Sequence, residues 1–570
     1  MPFNWLDYSV IAAYVAIMVL VGYYAQKRGQ ESLEDYFTGG KNLPWWLIGI
    51  SMVATTFAAD TPLAVTGIIA SEGVAGNWIW WNFMFSGLFT VFLYAKLWKR
   101  ADVITDVEFI SIRYSGKPAR ILRGFRALYL AFPINCIILG WVTVGMAKIL
   151  TILTGAEQWT VILIMYLLIG IYIAFSGLWG VIITDFIQFI IAMGGSILLA
   201  WYAVSHVGGL GQLQVEITEM FGQGHQMLSI NPLTSPDIAI TTALVWVGMM
   251  WWASWYPGSE PGGGGYIAQR MFSAKDERNA VGGTLLFNVA HFALRPWPWI
   301  LVALVAMVVY PGLDDPEAGY PMLMLKLLPA GLLGLLAVAF LAAFVSTVST
   351  HLNWGASYVV NDFYKPFLKP ESEFESKEKA QKHYVVVSKI TTIVLMITAV
   401  IVSYMFDTVR GGWEAILSIG AGTGLVYMLR WFWWRINAWS EIAAMSAAAI
   451  GYTLSIFTGL DDFAQQMIFT TVFSTTVWIA TTFLTKPEDE QTLQTFFDRV
   501  KPGGPGWKRF ITAGEKTYSL LPGIGMVVIS AASIIGVLFG MGEIFFSSVS
   551  LGVSCILAGS IGLWYVVKKI

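Results

Sequence analysis

The chain has 570 residues, of which 56% are hydrophobic and only 12% charged. A water-soluble protein of this length carries about twice that charged fraction, so the composition excludes a soluble globular enzyme and points to a polytopic membrane protein. The formal net charge of −2 gives no hint of nucleic acid as a partner, which leaves membrane lipid and a small-molecule solute; nothing implies an oligomer.

In chain order, residues 1–7 hold no basic region ahead of the first apolar run, so a cleaved signal peptide is not expected and 6–25 reads as a retained span. Apolar runs of roughly 18 to 28 residues, each able to cross a bilayer, follow along the whole chain. They lie at 44–70, 77–97, 124–153, 158–177, 180–205, 239–257, 283–311 and 331–359, then at 386–406, 412–432, 440–459, 464–485, 521–541 and 546–567. Together they make about fifteen spans. Cys136 and Cys555 sit in separate apolar runs and imply neither a disulfide framework nor a metal site.

The 44–70 span contains "SMVATTFAADTPLAVTG", Ser51 to Gly67. Asp60 is costly at such a depth, and Pro62 removes a backbone donor and crowds the carbonyl of Ala58. A polar break there persists only when buried in protein or lining a watery cavity. The expected break is at Asp60-Thr61-Pro62. Five spans later, 239–257 runs into "WWASWYPGSEPGGGGYIAQR", a second aromatic helix giving way to glycine and proline. Two interrupted helices, each opening a five-span half of opposite orientation, point to an inverted-repeat secondary transporter. "PGGGG" lacks the Gly-Lys-Ser/Thr of a phosphate loop and reads as a hinge. Further on, "HFALRPWPW" sets Arg295, which does not readily lose its charge, well inside a span.

The span around 331–359 carries Ser346, Thr347, Ser349 and Thr350 within two turns, followed by His351 and Asn353. A single serine there would bond its own i−4 carbonyl. A cluster of hydroxyls near freed carbonyls, without thiolates or paired imidazoles, suits a hard cation. His291 and His351 leave a membrane-embedded acyltransferase-like enzyme as an alternative, although no nucleophile or paired ligand accompanies them. A cation channel is the other alternative; it would give uptake without accumulation. The transporter reading makes the chain not an enzyme.

Lys and Arg set the orientation. They cluster in alternate loops at Lys27, Arg28 and Lys41, at Lys99, Arg100, Arg113, Lys117 and Arg120, and at Arg270, Lys275 and Arg278. The same side holds 361–385, Arg430 with Arg435, 486–519 and Lys568–Lys569, whereas 206–237 has neither Lys nor Arg. The N-terminus is expected outside and the C-terminus in the cytoplasm of a multi-pass plasma membrane protein, in a bacterium the inner membrane.

With these motifs, "TDFIQ" at Thr184 to Gln188, "YIAQRMFSAKDE" at Tyr266 to Glu277 and "STVSTHLN" at Ser346 to Asn353, the chain resembles the sodium:solute symporter family over roughly residues 5 to 485. The resemblance implies an all-α membrane protein of the leucine-transporter (LeuT) type. That fold is a five-plus-five inverted repeat with one preceding helix and about four following ones here. The divisions expected are 1–43, first helix and loop; 44–206, first repeat; 207–238, outer loop; 239–432, second repeat; and 433–570, accessory helices. Sodium is the implied coupling ion, held by backbone at Ala54, Phe57 and Ala343 and by the hydroxyls of Ser346 and Thr347. A second sodium, found in some members, maps onto Asp185, Ser346, Ser349 and Thr350; the other reading of Asp185 is a side chain reaching the interface. For the solute, Thr56, Asp60 and Thr61 stand where sugar-transporting members carry Asn, Glu and Gln. Trp80 and Trp81 offer an apolar wall, and Arg295 stands where such members place a substrate-contacting lysine, facing Asp60 across the pocket. "YPGSEPGGGG" departs from the family pattern, so a known sugar specificity is not carried over. The expected solute is a sugar or relative, or an amino or carboxylic acid.

Overall fold

A computed structural model describes the chain except residues 1–2, 29–42, 104–105, 176–177, 223–225, 255–261, 263–266, 268–269, 272, 461 and 512–518; at 15, 18–28, 55, 106–108, 171–175 and 178–188 it describes backbone alone. Backbone groups in hydrocarbon have no water to bond, so a spanning segment must close its own ladder as a helix. The described residues are accordingly almost all helical, with one isolated bridge joining Leu43 and Ala274.

The helices are α1 (Trp5–Arg28), α2 (Trp45–Thr55), α3 (Thr61–Glu72), α4 (Val74–Ala101), α5 (Asp106–Arg113) and α6 (Gly116–Thr154). They continue as α7 (Gln158–Phe175), α8 (Leu178–His206), α9 (Leu210–Phe221), α10 (Ile240–Trp252), α11 (Glu277–Val309) and α12 (Gly319–Leu327). The second part holds α13 (Leu332–Leu368), α14 (Lys377–Ser403), α15 (Val409–Phe432), α16 (Ala438–Phe457) and α17 (Phe463–Leu484). Last come α18 (Glu490–Val500), α19 (Leu521–Phe546) and α20 (Val549–Lys569). Among the described residues 11 helices are long and apolar enough to cross a membrane. Every apolar run read from the sequence has a helical counterpart.

Three of these helices outrun their apolar segments. Hydrophobicity marks where hydrocarbon is, not where the backbone ladder stops, so α4, α6 and α13 continue into polar sequence. Wide π turns interrupt them at Thr90–Tyr94, Leu130–Ile134 and Tyr358–Leu368, and another lies at Val289–Leu294 in α11. Two of these hold a proline, Pro133 and Pro366, whose missing N–H a widened turn tolerates.

The broken pair α2 and α3 packs along the two halves of α11. The first contact is glycine-lined: a Cβ on Gly283 would lie 2.7 Å from Ile48 Cγ2, and one on Gly49 would lie 2.8 Å from the Gly283 carbonyl. At the far end, α19 and α20 close as a hairpin in which a Cβ on Gly540 would meet the Gly552 carbonyl at 2.7 Å. In lipid such small residues let backbones approach where apolar burial gives no drive.

Charged groups fasten both ends of the bundle. At one end Arg113, Arg126, Arg430 and Glu441 are fully buried. Glu441 pairs with Arg430 at 3.2 Å and Arg126 at 3.5 Å and accepts the Tyr114 hydroxyl. Arg113 donates to the carbonyls of Arg430, Trp433 and Ile436 at 2.9, 3.1 and 3.0 Å, closing the C-terminal end of α15. At the other end the buried Glu317 accepts from Lys148 Nζ at 2.7 Å and from the N–H groups of Val409 and Arg410 at 3.1 and 3.2 Å. Arg410 in turn reaches Glu72 at 2.6 Å and Glu414 at 2.8 Å. One carboxylate therefore ties the loop before α12 to α6 and α15, and Arg410 adds α3.

Candidate functional site: a broken helix and its two charges

The helix break falls one turn earlier than the sequence suggested. Residues 56–60 are unwound and Thr61 and Pro62 open α3. Proline suits a first helical turn, where its missing N–H has no bond to lose, so the interruption lies on its N-terminal side.

Unwinding strands the last carbonyls of α2. The Met52 carbonyl accepts from Thr56 N–H and that of Ala54 from Phe57 N–H, both at 3.1 Å. Arg295 takes that of Val53, and that of Thr56 just beyond. Its Nη1 donates to the Val53 carbonyl at 3.0 Å and to Thr56 Oγ1 at 3.1 Å, and its Nη2 donates to the Thr56 carbonyl at 3.2 Å. The π turn sets this up: Arg295 N–H bonds the Ala290 carbonyl at 3.0 Å, five residues back, and the wider turn rotates the side chain toward α2. Its guanidinium also lies 5.3 Å from the Trp299 ring.

Asp60 occupies the opposite stub. It is fully buried at the N-terminal end of α3, and Trp141 Nε1 donates to its Oδ2 at 3.0 Å. α6 comes this close because its residue 145 is glycine; a Cβ there would lie 2.9 Å from that of Asp60. Arg295 and Asp60 thus stand at the two stubs of the break. The described contacts put the cation at the negative end of α2 and the anion at the positive end of α3, each offsetting a helix dipole.

Around the break, Thr56 Oγ1 lies 3.4 Å from His291 Nδ1, and the His291 ring sits 5.8 Å from Trp80 and 5.0 Å from Phe287. Thr61, Trp80 and Trp81 are buried. The indole N–H groups of Trp81 and Trp299 have no hydrogen-bond partner among the described residues, a cost of about 1–3 kcal/mol each unless something else bonds them.

Of the residues expected to hold sodium, Phe57 is the best located. Its ring lies 6.1 Å from Phe340, 6.1 Å from Phe189 and 6.0 Å from Trp299. Phe340 precedes Ala343 by one turn, so the break lies against α13 beside the expected ligands. Ala54 and Ala343 are buried, Ser346 and Thr347 half-buried. Of the second-sodium set, three residues have described side chains, and Ser346 is half-buried. The Asp185 side chain lies outside the described residues, the Ser349 hydroxyl bonds the Ser346 carbonyl at 3.0 Å, and Thr350 is exposed. From Thr350 an open polar stripe continues through Asn353, Ser357 and Asn361. His351 is buried against α6, where Asn135 bonds its ring nitrogen at 2.7 Å and its carbonyl at 2.9 Å. That is a structural clasp between α6 and α13.

Sequence reasoning missed Trp141, Asn135, Trp299 and the Glu72–Arg410–Glu317 network. Each is an ordinary residue for its span or loop, and only its distant partner gives it a role.

The model of the sodium:solute symporter family matches residues 36–451. A sodium/glucose cotransporter of Vibrio parahaemolyticus is 26% identical over 520 residues, covering 85% of this chain and 92% of its own. Sodium/glucose cotransporter 1 of Oryctolagus cuniculus is 24% identical, covering 81% and 73%. Among solved structures, a Na+-coupled sialic acid symporter in a substrate-bound outward-open state aligns over 86% of this chain and 100% of its own, with a TM-score of 0.61 and 21% identity. This likeness gives the leucine-transporter type of fold. The chain belongs to the sodium:solute symporter family, and is a sodium-coupled symporter of a small solute.

Proposed function

We propose that the chain imports a sugar or related polyol with sodium by alternating access. Sodium is bound by the carbonyls of Ala54, Phe57 and Ala343 and the hydroxyls of Ser346 and Thr347. What carries this is the unwound 56–60 turn, whose Phe57 ring packs on Phe340 of α13; freed carbonyls and hydroxyls are the donor set a hard cation takes. Asp185 on α8 with Ser346, Ser349 and Thr350 on α13 forms a second sodium site. The exposed stripe from Thr350 to Asn361 supports an exit path for the ion. Thr56, Asp60, Thr61, Trp81 and Arg295 line the solute pocket, where the buried indole N–H groups of Trp81 and Trp299 favour a ligand rich in oxygen. The glucose named for the relatives supports a sugar over a carboxylic acid.

The two repeats are 44–206 and 239–432, and the Lys/Arg asymmetry supports an outside N-terminus and a cytoplasmic C-terminus in a plasma membrane. The end fastened by Glu317 is then the outer one. Inward sodium movement supplies about 2.3 kcal/mol per charge per 100 mV, about fifty-fold accumulation per ion.

The test is uptake by proteoliposomes carrying a sodium gradient, offered labelled D-glucose, D-mannose, myo-inositol and an amino acid. Accumulation of one of the first three above equilibrium, collapsing with a sodium ionophore, is expected. Accumulation of the amino acid alone overturns the solute class. Equilibration without accumulation would mean a channel.

A further inference from the structure

The carbonyls stranded by the break fall into two interleaved pairs. Val53 and Thr56 are three residues apart and share one face of the turn. Ala54 and Phe57, also three apart, lie one residue on and present the next face of the turn. Arg295 holds the first pair: one nitrogen on Val53 at 3.0 Å, the other on Thr56 at 3.2 Å. The second pair supplies the backbone ligands of the proposed sodium site. The Thr56 carbonyl belongs to the same peptide plane as the Phe57 N–H, and that N–H bonds the Ala54 carbonyl at 3.1 Å. Turning one plane thus moves groups on both faces. A second link runs through the side chains: the guanidinium lies 5.3 Å from the Trp299 ring, which lies 6.0 Å from the Phe57 ring.

We infer that Arg295 is a positioning residue for sodium: by clamping Val53 and Thr56 it holds the Ala54 and Phe57 carbonyls in their ion-binding orientation, and it is the point at which solute and sodium occupancy are coupled. This rests on the sodium site proposed above. The fork geometry matters, because two acceptors must be held at once by a rigid planar group. A lysine ammonium keeps the charge but cannot preset both planes. Solute drawing on the guanidinium would shift the same peptide that faces the ion, and linkage requires the effect to be reciprocal.

Sodium alone is a sufficient probe. Purified full-length protein is titrated with sodium chloride at constant ionic strength in choline chloride, following the sodium-dependent rise in melting temperature. Arg295→Lys should weaken sodium about tenfold, the worth of a lost charge-assisted hydrogen bond, while the melting temperature at saturating sodium stays near wild type. Arg295→Ala should be weaker still and regain affinity on adding millimolar guanidinium, which a merely structural loss would not do. If Arg295→Ala fails to fold, Thr56→Val carries the test. It removes the hydroxyl that Arg295 reaches at 3.1 Å and that itself donates to the Val53 carbonyl at 3.0 Å, and should weaken sodium severalfold. Ser346→Ala and Thr347→Ala run alongside. If they weaken sodium but Arg295→Lys and Thr56→Val do not, the positioning role is wrong and the site stands. If neither hydroxyl variant changes sodium affinity, the site itself is wrong, and the inference falls with it.

Discussion

Asp60 and Arg295 are each an expensive charge in a membrane interior, and each is made tolerable by a helix end rather than by the other. Asp60→Asn keeps an acceptor for the Trp141 indole and loses only the charge facing the α3 terminus. The desolvation relieved by the change offsets the lost dipole attraction of about 1 kcal/mol, so the melting temperature in sodium-free detergent solution is expected to stay within a few degrees of wild type. Gly145→Val should cost more, because its side chain would enter space already held by Asp60 and by Val409, which a Cβ alone meets at 2.9 and 3.2 Å. The sequence made both charges legible, since an ionisable residue inside an apolar run stands out against hydropathy. Their partners were not legible. Trp141 lies 81 residues from Asp60, and Val53 lies 242 residues from Arg295. Apolar spacing carries no information about which helices will touch.

Helices as units were read well and their irregularities poorly. Hydropathy finds a span because desolvation acts on every residue of it. A π turn adds one residue without changing the pattern, so the turn that aims Arg295 left no mark. The break was placed a turn late because proline signals an interruption without saying on which side it lies. On α13 the hydroxyl cluster was visible, but exposure now separates its members. Ser346 and Thr347 are half-buried, whereas Ser349 is buried on its own backbone. Ser349→Ala, which touches only the second site, should lower the Hill coefficient for sodium toward one, while Ser346→Ala raises the half-saturating sodium concentration for uptake about tenfold. Equal effects would argue for a single shared ion. For the α19–α20 hairpin, Gly540→Leu should lower stability by about 1–3 kcal/mol through overpacking, measured by melting in detergent. The family match ends at residue 451, so this hairpin tests whether the added helices brace the bundle.

At the scale of the whole molecule, the Lys/Arg asymmetry makes the topology testable. In a chain with Cys136 and Cys555 replaced by alanine, single cysteines at the exposed Gln212 and Gln491 should label from opposite faces with an impermeant thiol reagent. Labelling from one side would reverse a span. The charged network at Glu317 bears on the working cycle in another way. It holds α3, α6, α15 and the loop before α12 together, and if solute enters at that end, it is the latch that opening must break. Apparent affinity is intrinsic affinity multiplied by the fraction of molecules standing open. If the latch is worth about 2 kcal/mol, it hides roughly thirtyfold of affinity from the outer solution. Glu317→Gln should then make the transporter look greedier, half-saturating at lower external solute, yet cycle more slowly because the closing step has lost its drive. A tight latch thus exchanges grip on external solute for speed of closure.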